Sequence, residues 1–324
     1  MVFTKNEALE IMNEWGTAMI PFLFIIDYEM KAIQLYRLDE PLPENICYSF
    51  HGEPLHDRNG STGDFIFRKY PIPFAEYEAA FSHIQNHIQA GNTFLANLTC
   101  STKLETSLTL RQMYEFSHAK YKILSDNQFV CFSPETFVTI RNGIITTNPM
   151  KGTINAELPD AEKLIMESPK ETAEHYTVVD LLRNDISIVA EEVTVKRFRY
   201  IDRILSHTGC ILQVSSEITG KLHSDYNCHL GSIMFDMLPA GSVTGAPKKR
   251  TTALIREVEQ KDRGYYTGVC GVFDGKNIDS AVMIRFVEMQ NGTMHFRSGG
   301  GITFMSNAHE EYDELINKIY VPIV

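Results

Sequence analysis

The spacing of apolar residues along the chain changes period several times. PFLFIIDYEMKAIQLYRL is rich in Phe, Ile, Leu and Tyr on both sides of Asp27–Lys31, which predicts two strands joined there. The apolar run from Ala18 to Ile26 stops at Asp27, too short to span a bilayer, and reads as a buried strand. ICYSFHG predicts another strand. After the Pro-rich KYPIPF the period becomes helical: Phe74, Tyr77, Phe81, Ile84 and Ile88 share one face, and Gly91 suits the position just past a helix end. NTFLANLTCSTKL returns to a strand pattern. From Gln128 the chain reads strand-turn-strand, with Asn142-Gly143 as the hairpin turn.

Beyond Pro159 a long helical pattern, AEKLIMESPKETAEHYTVVDLLRNDISIVA, breaks or restarts at Pro169. EVTVKRFRYI and CILQVSSEITGKL predict strands, and residues 230–237 predict a helix. LPAGSVTGAPKKRTTALIREVE is a glycine-containing loop entering a helix. Two late strand pairs precede a last helix, HEEYDELINKIY. Many strands mixed with several helices, and no clean βαβ alternation, predict an α+β fold.

The 324 residues are 44% hydrophobic and 22% charged, enough to bury a substantial core in one large domain or two smaller ones. The net charge of -11 disfavours nucleic acid and anionic membranes, so an anionic ligand needs a local cluster of cations and N–H groups. Six scattered cysteines with no CxxC pair indicate neither a disulfide framework nor a zinc ribbon and fit a reducing cytoplasm. The N-terminus, MVFTKNEALEIMNEW, carries interspersed acids and does not read as a secretory signal.

Four groups could carry chemistry. Glu171 and Glu174 stand at i, i+3, as do Glu311 and Glu314; facing each other, they would offer oxygen ligands suited to Mg²⁺. Spacing alone favours two solvated helix faces, with Glu314 and Lys318 as an ordinary i, i+4 pair. AGSVTGAPKK lacks the Gly-Lys-Ser/Thr of a nucleotide loop, yet offers N–H donors at a helix start; a structural turn with Pro247 near the first helical position fits equally. Gly299, Gly300 and Gly301 allow close approach of a ligand or a bent strand. Arg285, among apolar neighbours, needs an anionic partner, and Tyr266 is either a hydrogen-bond donor or a core tyrosine. Finally, Glu135 and Lys151 flank the Asn142-Gly143 turn on successive strands, so one part of a sheet could hold both. A lysine nucleophile must be neutral when it attacks; the plain alternatives are a strand-end lysine reaching water and a Glu135 that caps a turn.

Taken in order, SPETF, PMKGT, KETAEH, VVDLLRNDI, AGSVTGAPKKR, RGYYTGVCGVF, IRF, GGGIT and EEYDELINK resemble the chorismate-utilising enzymes over roughly residues 65–320. That family includes the large subunits forming anthranilate and 4-amino-4-deoxychorismate, and the isochorismate and salicylate synthases. The resemblance implies two facing β-sheets flanked by helices, with a catalytic domain over 65–324 and a shortened β-rich segment over 1–64 packed on it. It implies that Glu174 and Glu314 bind Mg²⁺, supported by Glu171 and Glu311, to hold the ring carboxylate of chorismate. Arg285, Tyr266 and the N–H groups of Gly299, Gly300 and Gly301 would bind the enolpyruvyl carboxylate, with Lys318 beside the metal helix. Thr153, Gly245, Ala246 and Lys248 complete the implied substrate pocket, and Glu135 matches the general acid/base.

Lysine before Gly-Thr, here Lys151, resembles the aminodeoxychorismate branch of the family, where relatives making other products carry alanine. The implied reaction is chorismate plus ammonia to 4-amino-4-deoxychorismate through a covalent Lys151 adduct, for p-aminobenzoate and folate synthesis. Ammonia is expected from a separate glutamine amidotransferase subunit, because no glutaminase signature is present. The alternatives are an anthranilate synthase large subunit and a non-catalytic chorismate-binding homologue; the short N-terminal part and the intact Glu135, Lys151, Glu174 and Glu314 oppose them. The sequence departs from the family at Ile154–Glu157, at Phe286, and at Gln213, which falls where a histidine near the leaving hydroxyl is found; His207 lies six residues earlier.

Overall fold

The computed structural model describes residues 2–51, 65–206 and 209–323, so His207 lies outside the described residues. In chain order the elements are β1 (Val2–Phe3), α1 (Lys5–Thr17), β2 (Phe22–Ile26), β3 (Ile33–Arg37), β4 (Ile46–Phe50), β5 (Phe67–Tyr70), α2 (Phe74–Gln89), β6 (Leu95–Thr106), α3 (Leu110–Phe116), β7 (Tyr121–Ser125), β8 (Phe129–Ser133), β9 (Thr136–Arg141) and β10 (Ile144–Thr147). Then follow β11 (Met150–Asn155), α4 (Ala161–Glu167), α5 (Pro169–Val189), β12 (Glu191–Ser206), β13 (Gly209–Lys221), α6 (Leu230–Met237), β14 (Gly245–Ala246), α7 (Lys248–Glu259), β15 (Val269–Phe273), β16 (Ile278–Val282), β17 (Phe286–Gln290), β18 (Thr293–Thr303) and α8 (Ala308–Asn317).

The strands form two antiparallel sheets, as the α+β expectation required. The ten-stranded sheet runs β1-β3-β2-β15-β16-β9-β10; β10 and β11 then lie end to end on one edge of β13, with β12 along the other edge. The eight-stranded sheet runs β14-β6-β18-β17-β8-β7-β4, with β5 also on β6. Residues before 65 contribute to both: β2 pairs with β15 and β4 with β7.

Why β2 is a continuous apolar run, FLFII, follows from its position. Phe22, Phe24 and Ile26 pack outward against Ala8 and Met12 of α1 and Leu230 and Met234 of α6. Leu23 and Ile25 point inward, joining Ile123, Phe129 and Cys131 of the opposite sheet. A strand covered on both faces has no polar face to show. Each such side chain contributes about 1.5–3 kcal/mol on burial. Helices α2, α7 and α8 cover the outer face of the eight-stranded sheet through Tyr77, Ile84, Leu254 and Leu315.

Helix α1 is absent from the periodicity reading, although Thr4 and Glu7 supply a capping box. The strand expected from Ala18 begins only at Phe22, because Met19, at φ 55, turns the chain first. Helix α3 and strand β7 were likewise not foreseen; their apolar stretches are too short to show a period.

The stretch NPMKGT carries an irregularity. Met150 lies opposite Ser215 and Thr153 opposite Gln213, so β11 has one residue too many between these pairs. This is a β-bulge, a device that re-aims side chains next to functional sites. Gly152 absorbs it at φ 87, and a Cβ there would meet Glu171 Oε2 at 2.9 Å. Gly152→Ala therefore has two costs, a left-handed alanine and a displaced Glu171. Gly91, at φ 72 with nothing within 4 Å of its would-be Cβ, has only the first. Urea denaturation should show a loss of roughly 1–2 kcal/mol for Gly91→Ala and a distinctly greater loss for Gly152→Ala. Equal losses would remove the bulge's close approach to α5 from the account.

Candidate active site

A cavity of about 520 Å³ is lined by both sheets and by α5 and α8. Its volume suits a small metabolite. Four of its walls bring charge into it.

Two helices contribute the acids. Ser168 caps α5, its hydroxyl accepting from Glu171 N at 3.3 Å, and Pro169 occupies the first turn. The face at i, i+3 and i+7 then presents Glu171, Glu174 and Val178 to the cavity. Asn307 caps α8 in the same way, and Glu311, Glu314 and Lys318 follow on one face. Glu174 and Glu311 are buried, at 7% and 4% exposure, whereas Glu314 is exposed and forms the expected i, i+4 pair with Lys318, so each face is solvated only in part. Helix starts favour negative charge, which suits acids in these first turns. Carboxylate oxygens from two helices are the donors that a hard divalent cation takes. Among the described residues no three of the four come within 4.8 Å of one another.

The bulge in β11 sends Lys151 into this acidic space. Its Nζ lies 2.8 Å from Glu174 Oε2, and a Cβ on Gly301 would stand 4.0 Å from the ammonium. Burial pulls the Lys151 pKa down, but the Glu174 carboxylate, with Glu314 and Glu171 behind it, outweighs burial and the net shift is upward. Lys318 moves the other way. It donates to Gly299 O at 3.0 Å and pairs with Glu314 at 2.6 Å, yet burial, Lys151 and Arg285 together lower its pKa.

Arg285 completes the cationic wall. It sits at φ 54, a left-handed backbone held in part by its carbonyl accepting from Phe132 N at 3.0 Å. Its guanidinium lies over the Tyr320 ring, 5.5 Å from the centroid. Its buried Nε has no hydrogen-bond partner among the described residues. A buried donor left over beside a cavity calls for an acceptor, and a ligand in the cavity is one that could supply it. Tyr266, 3% exposed, lines the same wall, and burial pushes its phenol up to about 12, so it remains a donor.

Glu135 and Lys151 are not on successive strands as expected. Glu135 stands just before β9, the Asn142-Gly143 hairpin joins β9 to β10, and Lys151 lies in the next strand, β11, yet both line the cavity. Its carboxylate accepts a short hydrogen bond from Ser242 Oγ. Burial raises its pKa, against the opposing pull of Ser242, Arg285 and Lys151. A carboxyl that keeps its proton longer is suited to act as a general acid.

The remaining expected residues divide. Thr153, Gly245, Gly299, Gly300 and Gly301 line the cavity, as does Gln213, whose Cα lies opposite that of Thr153. Two do not. The Lys248 ammonium turns away to Asp185, at 2.6 Å, and the Met237 carbonyl, at 2.7 Å. It fastens the loop to α5, because an almost buried Asp185 needs a counter-charge. Ala246 is committed to the sheet, where its carbonyl accepts from Phe94 N and Thr93 Oγ1. Sequence reading missed Ser242, Asn97 and Tyr320. Ser242 lay inside a motif already singled out, but the other two carry no local signal.

Residues 26–323 match the family described as chorismate binding enzyme. An uncharacterized PabA-like protein of Haemophilus influenzae is 46% identical over 320 residues, covering 99% of this chain and 98% of its own. Anthranilate synthase component 1 of Mycobacterium bovis is 32% identical, over 87% of this chain and 55% of its own. Aminodeoxychorismate synthase component 1 of Klebsiella aerogenes is 28% identical, over 95% of this chain and 70% of its own. Among solved structures, a putative 2,3-dihydroxybenzoate-specific isochorismate synthase from Bacillus anthracis shares the fold, with a TM-score of 0.71 at 19% identity over 97% of this chain and 86% of its own. The chain belongs to the chorismate-binding enzyme family.

Proposed function

We propose that this protein converts chorismate and ammonia to 4-amino-4-deoxychorismate, a precursor of p-aminobenzoate and folate, with Lys151 as covalent nucleophile. The observation that carries this reading is the placement of Lys151 by a β-bulge into a cavity that also holds Glu135 and Arg285. A lysine serving only solubility has no need of that position.

Charge balance supports the substrate and the cofactor. Five carboxyl groups line the cavity against Lys151, Lys318 and Arg285, so a dicarboxylate ligand adds anions to a space already acidic. A Mg²⁺ held by Glu174 and Glu314, with Glu171 and Glu311 beside them, would supply the missing positive charge at the ring carboxylate. Arg285, with its unpartnered Nε, and Tyr266 are suited to the enolpyruvyl carboxylate.

In the proposed sequence Nζ of Lys151, deprotonated, attacks C2 of the ring. The double bonds shift, the C4–O bond breaks, and Glu135 gives its proton to the departing hydroxyl, which leaves as water. Ammonia then attacks C4, the double bonds shift back, and the C2–Nζ bond breaks to return the lysine. The amine thus stands where the hydroxyl was, and covalent catalysis sets regiochemistry as well as rate. Ammonia is assigned to a separate glutamine amidotransferase subunit. The likeness to an anthranilate synthase favours a second reading, direct attack of ammonia at C2, in which Lys151 has no covalent role.

Incubation with chorismate, Mg²⁺ and ammonium, followed by mass spectrometry of the products, separates the two. Aminodeoxychorismate as the main product is expected; anthranilate would overturn the proposal. Lys151→Ala should lose at least about 100-fold in aminodeoxychorismate formation while retaining chorismate binding. Unchanged turnover in that variant would refute the covalent route.

Glu135→Gln should lose roughly 100- to 10,000-fold in rate. It also has a stability signature. A carboxyl whose folded pKa is raised makes the native state less stable as pH climbs from its unfolded value, about 4.3, through the raised one. Removing the ionisation should therefore raise the melting temperature at pH about 7.5, with the gain vanishing near pH about 4. A gain independent of pH would contradict a raised Glu135.

A further inference from the structure

Outside the cavity, the outer helices carry a second cluster of ligating groups. His83 and His87 stand at i, i+4 on α2, so both imidazoles leave the same face. Their rings are parallel within 10°, with centroids 5.3 Å apart. Glu257 reaches across from α7, its Oε1 3.1 Å from His83 Nε2. One ligating atom from each of the three residues lies within 4.8 Å of the other two.

We propose that His83, His87 and Glu257 form a binding site for a transition-metal ion of the zinc class, cross-linking α2 to α7. Two imidazole nitrogens and one carboxylate oxygen are a donor set for Zn²⁺, with water in the fourth position, and not for Mg²⁺, which takes oxygen alone. Tetrahedral bonds of about 2.0–2.1 Å place ligand atoms roughly 3.3 Å apart. His83 Nε2 and Glu257 Oε1 already stand 3.1 Å apart, and the remaining separations, all within 4.8 Å, close by side-chain rotation that His83 and Glu257, 44% and 57% exposed, are free to make.

A neighbouring residue supports the arrangement. The Asn92 side-chain Nδ2 lies 3.1 Å from His87 Nδ1. A 180° turn of that amide would bring Oδ1 to the ring to accept Nδ1–H, which would leave the Nε2 lone pair for a metal and fix the ring's orientation. Asn92 itself is held by its N–H, which donates to His87 O at 2.9 Å. A simple ion pair between His83 and Glu257 gives no reason for the second histidine to stack alongside.

The helices joined here also brace the catalytic layer. Ile84 of α2, Leu254 of α7 and Leu315 of α8 share one core cluster, and α8 carries Glu311 and Glu314. Metal bound on the outside would stiffen that layer without touching the cavity.

The test uses the full chain freed of metal by a chelator and then dialysed. Titration with Co²⁺ should produce the visible absorption of a low-symmetry, nitrogen-containing site at one equivalent, and Zn²⁺ should displace it and raise the melting temperature. His83→Ala and His87→Gln should each weaken Zn²⁺ binding at least tenfold, and Glu257→Gln by less, while melting temperatures without metal stay near that of the parent. Excess Mg²⁺ should not compete. Equal Co²⁺ spectra and equal Zn²⁺ affinity in the parent and in His83→Ala/His87→Gln would overturn the proposal, as would displacement of Co²⁺ by Mg²⁺.

Discussion

The 2.8 Å pair between Lys151 and Glu174 constrains everything around it. Glu174 is almost buried, and Lys151 is largely so. Removing either partner of such a pair leaves an uncompensated charge, at a cost of roughly 3–5 kcal/mol. Each element nearby serves this contact. The capped start of α5 fixes Glu174, the bulge in β11 points the ammonium at it, and Gly152 leaves room for Glu171 beside both. The pair also sets the chemical difficulty, since the carboxylates that hold Lys151 in place favour its protonated form. In the proposed reaction, ligand and cation binding would redistribute charge in the cavity, and that is where the preference could be reversed.

The cavity's other side is organised by a deficit. Arg285 occupies a strained left-handed backbone and keeps a buried Nε without a partner. A buried donor left unsatisfied costs roughly 1–3 kcal/mol. In the proposed reaction the compensation is a ligand carboxylate, which would let a chain of net charge -11 take a dianion. Four of the five lining acids sit on α5 and α8, whereas Arg285 lies beside Tyr320 and within the influence of Glu135, so the two carboxylates of the proposed ligand would meet different surroundings.

Much of this was legible in the sequence, for identifiable reasons. Helix α6 and the restart of α5 at Pro169 agree with the expected spans because apolar period and proline are local signals. The hairpin at Asn142-Gly143 likewise needs only two residues to specify it. Spacing could not tell whether the Glu-x-x-Glu faces meet water or a cavity, because both choices share one period; only the packing of α5 and α8 decides. Lys248 was misplaced for a similar reason. Its motif puts it near the pocket loop, but Asp185, more than sixty positions earlier in the chain, captures its charge. Asn97 and Tyr320 reach the cavity through tertiary contacts that no local pattern encodes.

What distinguishes this account from any other use of the same cavity is a bond between Lys151 and the ring. The direct measurement is intact-protein mass spectrometry after incubation with chorismate and Mg²⁺ in the absence of ammonia, followed by peptide mapping. The account predicts a species heavier by chorismate less one water, located on Lys151, lost on adding ammonium and absent from Lys151→Ala. Aminodeoxychorismate formation by a protein that never carries that mass, even when rapidly quenched during turnover, would contradict it.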